Sequence, residues 1–264
     1  MNTLENAIRL VLAHQRGPPS RSLEELAECA TQARRLVDIS RDTLIAVEYP
    51  ESVRGRTALA LLMAAIDQAW GFCHVLATAP GHGHFAALTL YRPLVETLLR
   101  GAFFAKPATD GEVAYFLEKN QMPSRTSLHP RPGQIGKKIR LPAGELAIIV
   151  SEAFELEPRD RLPQVVQSEI EGWHGMVHGG REVVQLYGGR ARQRTDGTKE
   201  PVGASTTAEE MFELVPHVAV LAWLAMRAAV TLGKPKQNQR AHQAAQLVKD
   251  SYQSFILRWD PPRD

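Results

Sequence analysis

Apolar residues recur every three to four positions along almost the whole chain, and no stretch sustains the every-second-residue alternation of a half-buried strand. That period restricts the fold to helices packed on helices. Leu4, Ile8, Val11 and Leu12 make the first apolar stripe, which Gly17-Pro18-Pro19 ends. Ser22 then stands three residues before Glu25, the capping-box spacing. It predicts a helix carrying Leu23, Leu26, Ala30, Ala33 and Val37 to about Val47, before Tyr49-Pro50. Further helices are expected over about Ser52–Ala79, His84–Ala105, Thr109 or Asp110 to Lys119, Ala143–Phe154, Leu162–Tyr187, Ala208–Leu232 and Gln237–Trp259. Glycines at 172, 175, 179 and 180 suggest that the helix over Leu162–Tyr187 bends or splits.

Two stretches break the period. Prolines and the cations Arg125, Arg131, Lys137, Lys138 and Arg140 mark a long basic loop near 121–142. Gly188–Thr206 reads as a loop or a small hairpin, because Asp196-Gly197 is a turn signal. The fold expectation is therefore all-α: one helical domain over 1–264, a multi-helix bundle of roughly eight to ten helices. The N-terminal helix 1–16 and the C-terminal helix 237–259 are the peripheral or partner-binding elements.

Charge and composition narrow the function. The 31 basic and 29 acidic residues leave a net charge of +2, which gives no footprint of a sequence-specific DNA-binding protein. The basic loop keeps RNA contact open. Cys29 and Cys73 lie in apolar helical stretches and read as small buried hydrophobes in a reducing compartment. The first residues lack the apolar core of a signal peptide, and the runs Thr57–Ala65 and Val218–Ala225 are too short to span a bilayer, so a cytoplasmic protein with no membrane partner is expected. No phosphate loop, nucleophile elbow or dinucleotide fingerprint occurs, and no cofactor is expected. Gly81-His82-Gly83-His84 is a turn whose amides open a helix, a place that tolerates anions.

Two segments carry more chemistry than a scaffold needs. In Tyr91-Arg92-Pro93-Leu94-Val95-Glu96, followed by Arg100, the residues Arg92, Glu96 and Arg100 share one helix face. Leu88, Val95, Leu98, Leu99 and Phe103 surround that row. It is either an ion-pair ladder or the charged wall of a cleft. In Trp173-His174-Gly175-Met176-Val177-His178-Gly179-Gly180-Arg181, a continuous helix would put His174 and His178 on one face, with Glu171 and Arg181 a turn before and after. The pair has metal-ligand spacing, and Glu171 or the distant Glu213, His217, Asp67, His74, His82 and His84 could complete a shell only if the fold gathers them.

These segments resemble an uncharacterised group of bacterial all-helical proteins, through the Arg92-Pro93-Leu94-Val95-Glu96 helix with Arg100 and the His178-Gly179-Gly180 element. The likeness covers roughly Thr57–Tyr187 and brings no agreed activity. The chain is also faintly similar to the HEPN superfamily, whose signature is an arginine, four to six residues, then histidine. Arg9 and His14 have that spacing, with apolar Leu10 where a polar residue is usual, whereas His178 precedes Arg181. That resemblance implies RNA cleavage in a toxin–antitoxin or antiphage system.

Three functions are compatible with these residues. The leading expectation is an interaction module of a defence or stress system, working through self-association or a protein partner. The second is a metal-independent ribonuclease with Arg92, Glu96, Arg100, His174, His178 and Arg181 lining one cleft, a histidine as acid/base and arginine stabilising developing charge. The third is a metalloenzyme using His174, His178 and Glu171.

Overall fold

A computed structural model describes residues 21–49, 51–126, 138–156, 162–164, 166, 191–193, 199–201, 208–233 and 235–259. Among them the chain is all-α apart from two short hairpins. The helices are α1 (Leu23–Ile45), α2 (Val53–Thr78), α3 (His84–Ala105), α4 (Asp110–Lys119), α5 (Ala143–Ala153), α6 (Ala208–Val230) and α7 (Pro235–Trp259).

Local chemistry sets the boundaries. Ser22 caps α1 through a complete capping box with Glu25: the Glu25 amide donates to Ser22 Oγ at 3.1 Å and the Ser22 amide to Glu25 Oε2 at 2.8 Å. Thr109 and Glu112 repeat the device at α4, which ends on Asn120 in the left-handed region at φ 50°. Ser52 caps α2 through the Gly55 amide at 2.9 Å. α1 stops at Ile45, short of the expected Val47, and the Leu44 carbonyl there accepts from both the Val47 amide at 3.2 Å and the Tyr49 hydroxyl at 3.1 Å.

α2 packs against α1, α3 and α6, and α6 touches α1, α2 and α3. These four helices enclose the main core, in which Leu26, Leu62, Ile66, Phe72, Tyr91, Leu94 and Phe103 are fully buried. α7 lies against α1 and α6, and α5 against α3. A buried hydrogen bond of 2.8 Å between Ser40 and Tyr252 ties α7 to α1. The last carbonyls around α5 are held by two cations, one just past the end of α3 and one on α6: Lys106 Nζ donates to Ala153 O and Arg227 Nη2 to Phe154 O at 2.9 Å.

α2 and α3 approach each other closely at Gly101. A Cβ on Gly101 would stand 2.8 Å from Leu62 Cγ and 3.1 Å from the Leu62 backbone nitrogen, so glycine lets the two helices meet there.

The described residues of the stretch read as a basic loop near 121–142 include a short paired ladder. Strand β1 (Ser124–Thr126) pairs antiparallel with β2 (Lys138–Arg140), with Arg125 opposite Ile139. Arg125 is an anchor and not a solvated cation. Its guanidinium grips Glu112 in a fork at 2.6 and 2.7 Å, donates to the Pro107 carbonyl at 2.9 Å and lies 4.7 Å from the centre of the Phe103 ring. Within Gly188–Thr206, read as a loop or small hairpin, β3 (Ala191–Gln193) pairs antiparallel with β4 (Lys199–Pro201); Asp196-Gly197 lies outside the described residues.

α2 and the Met211–Val230 part of α6 are long and apolar enough to cross a membrane by length and composition. The expectation that the apolar runs are too short counted residues between charges rather than whole helices. The two helices differ in their surroundings: 67% of the apolar window in α6 is buried, against 39% in α2.

Candidate functional site

α3 carries the first of the two charged segments. It begins after a turn in which the His82 and Gly83 amides both donate to Ala79 O, at 3.1 and 2.7 Å, so those amides are spent inside the turn and not offered to an anion. His84 is buried, and its Nε2 contacts the Pro80 carbonyl, which places the ring proton on that nitrogen. Pro93 sits inside the helix, so the Thr89 carbonyl has no i+4 amide to receive.

The apolar residues expected around the row are all in the core: Leu88, Leu99 and Phe103 at 0% exposure, Val95 at 1% and Leu98 at 2%. The row itself is an ion-pair ladder. Arg92 Nε donates to Glu96 Oε1 at 2.7 Å, and Arg100 Nη2 donates to Glu96 Oε2 at 3.2 Å. Exposure rises along it, from 13% for the Arg92 side chain through 25% for Glu96 to 40% for Arg100. Each carboxylate oxygen takes one guanidinium, so Glu96 fixes the spacing of two cations and leaves the row with a net positive charge. Arg92, the deepest member, has further partners besides Glu96.

Glu171, His174, His178 and Arg181 lie outside the described residues, as do Arg9 and His14 of the HEPN-like spacing. The other candidate metal ligands are scattered. Glu213 and His217 lie one turn apart on α6, both already engaged. Asp67 pairs with Arg41 at 3.6 Å, and His74 Nδ1 meets Arg34 at 3.0 Å. Among the described residues no group of three or more His, Cys, Asp or Glu side chains could hold a metal ion.

Sequence reasoning passed over a cluster on the α1–α2 face. The His74 ring stacks on Trp70 with centroids 4.7 Å apart and planes 13° from parallel. Since a guanidinium only donates, Arg34 makes His74 Nδ1 an acceptor and puts the ring proton on Nε2. The spacing of Trp70 and His74, one helical turn, was the readable signal; the Arg34 contact spans 40 positions and left none. A second missed feature is an open groove of about 440 Å³ between α1 and α7, lined by Gln32, Arg35, Leu36, Ser251, Phe255 and Arg258 among others. Two bonds across its walls fix it: Arg258 to Glu28 at 2.7 Å and the Trp259 indole to Gln32 at 2.8 Å.

Both cysteines are buried free thiols. Desolvation pushes Cys29 up to about 12 and Cys73 higher still, so neither is an activated nucleophile.

No family model matches the chain, and neither a curated protein nor a solved structure matches it.

Proposed function

We propose that the chain is a helical interaction module, a bundle of eight to ten helices that works in a homo- or hetero-oligomer of a bacterial defence or stress system. The observation that carries this reading is the under-burial of α2. Its apolar window is 39% buried, while the comparably apolar window of α6 is 67% buried. A helix that is apolar on most sides belongs inside a core or against another protein. The ladder on α3 supports the same reading, because Glu96 is occupied in aligning Arg92 and Arg100 rather than open as an acid or base. The two buried free thiols fit a reducing cytoplasm.

The test is the size of the native complex in an extract of cells expressing the untagged chain at its natural level. An assembly heavier than one 29.2 kDa chain is expected; migration at the mass of one chain overturns the reading. The ribonuclease alternative has its own assay. RNA cleavage in the presence of a chelator that disappears in His178→Ala would replace the interaction module with an enzyme.

A further inference from the structure

The outward face of α2 holds a pattern that its burial alone does not explain. Counting at 100° per residue, Val53, Arg56, Ala60, Met63, Asp67, Trp70 and His74 fall on one stripe, opposite the buried row Ala58, Leu62, Ala65, Ala69, Phe72 and Leu76. Val53, Arg56, Ala60 and Asp67 are exposed, and Met63, Ala64 and Trp70 are half-buried. Arg56 has no ion-pair partner among the described residues, and Asp67 has only the loose contact to Arg41 at 3.6 Å, with its side chain 56% exposed.

We propose that this face is the interface for a second copy of the chain, with the two α2 helices antiparallel about a two-fold axis between Leu61 and Leu62. The inference rests on the interaction-module reading and names its partner. In that register Arg56 faces Asp67 of the other copy, and Asp67 faces Arg56, as a two-fold interface demands. The same register sets small Ala60 against long Met63 at the centre and brings Val53 level with Trp70 of the other copy beyond the charges. A small side chain therefore meets a long one at the centre of the stripe, and a charge pair flanks this centre on each side. Arg56 and Asp67 lie about 16 Å apart along the helix at the usual rise per residue, with no other charge on the stripe between them. A parallel pair would put Arg56 on Arg56 and Asp67 on Asp67, which like-charge repulsion disfavours. Asp67 at the middle of the helix also argues against lipid as the occupant, since a carboxylate there would enter hydrocarbon.

The full-length chain, followed by analytical ultracentrifugation over a concentration series, decides this. The wild type is expected to sediment at twice the 29.2 kDa chain mass. Arg56→Glu and Asp67→Arg each turn two attractions per dimer into two repulsions. Each is expected to weaken association by roughly tenfold or more, as for two exposed ion pairs per interface reversed in sign. The double variant Arg56→Glu/Asp67→Arg restores both pairs with exchanged signs and is expected within about threefold of wild type. Ala60→Glu, which sets a charge against Met63 of the other copy, is expected to be monomeric with an unchanged helical spectrum. Single reversals that leave the dimer intact, a double variant without rescue, or a wild type that stays monomeric each overturn the register. A monomeric purified chain together with a heavier native complex in cells would overturn only the self-pairing and leave the interaction-module reading standing.

Discussion

Replacing glycine by alanine should have opposite effects at two helical positions of this chain. At Gly111 in α4 an added Cβ meets nothing within 4 Å, so Gly111→Ala keeps the helix-propensity gain, about 0.5–1 kcal/mol. At Gly101 the same methyl would stand 2.8 Å from Leu62 Cγ and 2.9 Å from Leu62 Cδ2. Leu62 is fully buried and its backbone nitrogen would stand only 3.1 Å from the methyl, so the clash is relieved by shifting α2 against α3. Overpacking of this kind costs about 1–3 kcal/mol. Set against a propensity gain of about 1 kcal/mol, Gly101→Ala is expected to lose roughly 1 kcal/mol. Thermal unfolding followed by circular dichroism should then show a fall of about 2–4 °C for Gly101→Ala and a rise for Gly111→Ala. The strain can also be removed at its source. Leu62→Ala alone should cost about 2–5 kcal/mol, but in its presence Gly101→Ala should become stabilising. If Gly101→Ala raises the melting temperature as much as Gly111→Ala does in the wild-type background, the helices do not meet at Gly101 and the packing account fails.

Three further outcomes follow from the charged and buried groups. The Arg125 fork, together with the Thr109 amide and hydroxyl, holds the Glu112 carboxyl below its ordinary 4.5. With its folded value depressed, Glu112 contributes stability that is present above that ordinary value and is lost as pH falls through the folded one. Glu112→Gln should flatten this acid limb in urea titrations between neutral and acid pH; an unchanged limb would show that other carboxylates set it. Glu96→Gln should cost about 1 kcal/mol, more than an exposed ion pair because the Arg92 side chain is only 13% exposed, and a neutral result by urea denaturation would show that the ladder does not hold its arginines. Cys29 and Cys73 should resist a thiol reagent in the native protein at pH 8 and give two equivalents in denaturant, while rapid native modification of either would contradict its burial.

Much of the fold was legible because it is written in local chemistry. Ser22 with Glu25, and Thr109 with Glu112, fix helix starts within four residues of chain, and the expected His84–Ala105 helix has those bounds. What escaped notice spans long separations. Arg125 read as one more cation of a basic loop, because its partners Glu112, Pro107 and Phe103 come from other elements and no spacing rule links them. Arg34 with His74 escaped for the same reason.

The α3 ladder shows how an i, i+4 row can be legible in position and still silent in role. The four-residue spacing of Arg92, Glu96 and Arg100 settles that they share a face but not what that face meets. The observed exposures, 13%, 25% and 40%, show the row running from the core edge outward, which no helical wheel can supply. α2 is the reverse case. Its sequence is apolar enough for full burial, yet Val53, Arg56, Ala60 and Asp67 on its outward stripe are exposed and Met63 and Trp70 only half-buried. The physical content lies in that mismatch. Apolar surface left outside a core gains from being covered, and the placement of Arg56 and Asp67 on either side of Ala60 and Met63 gives that covering a direction and a register.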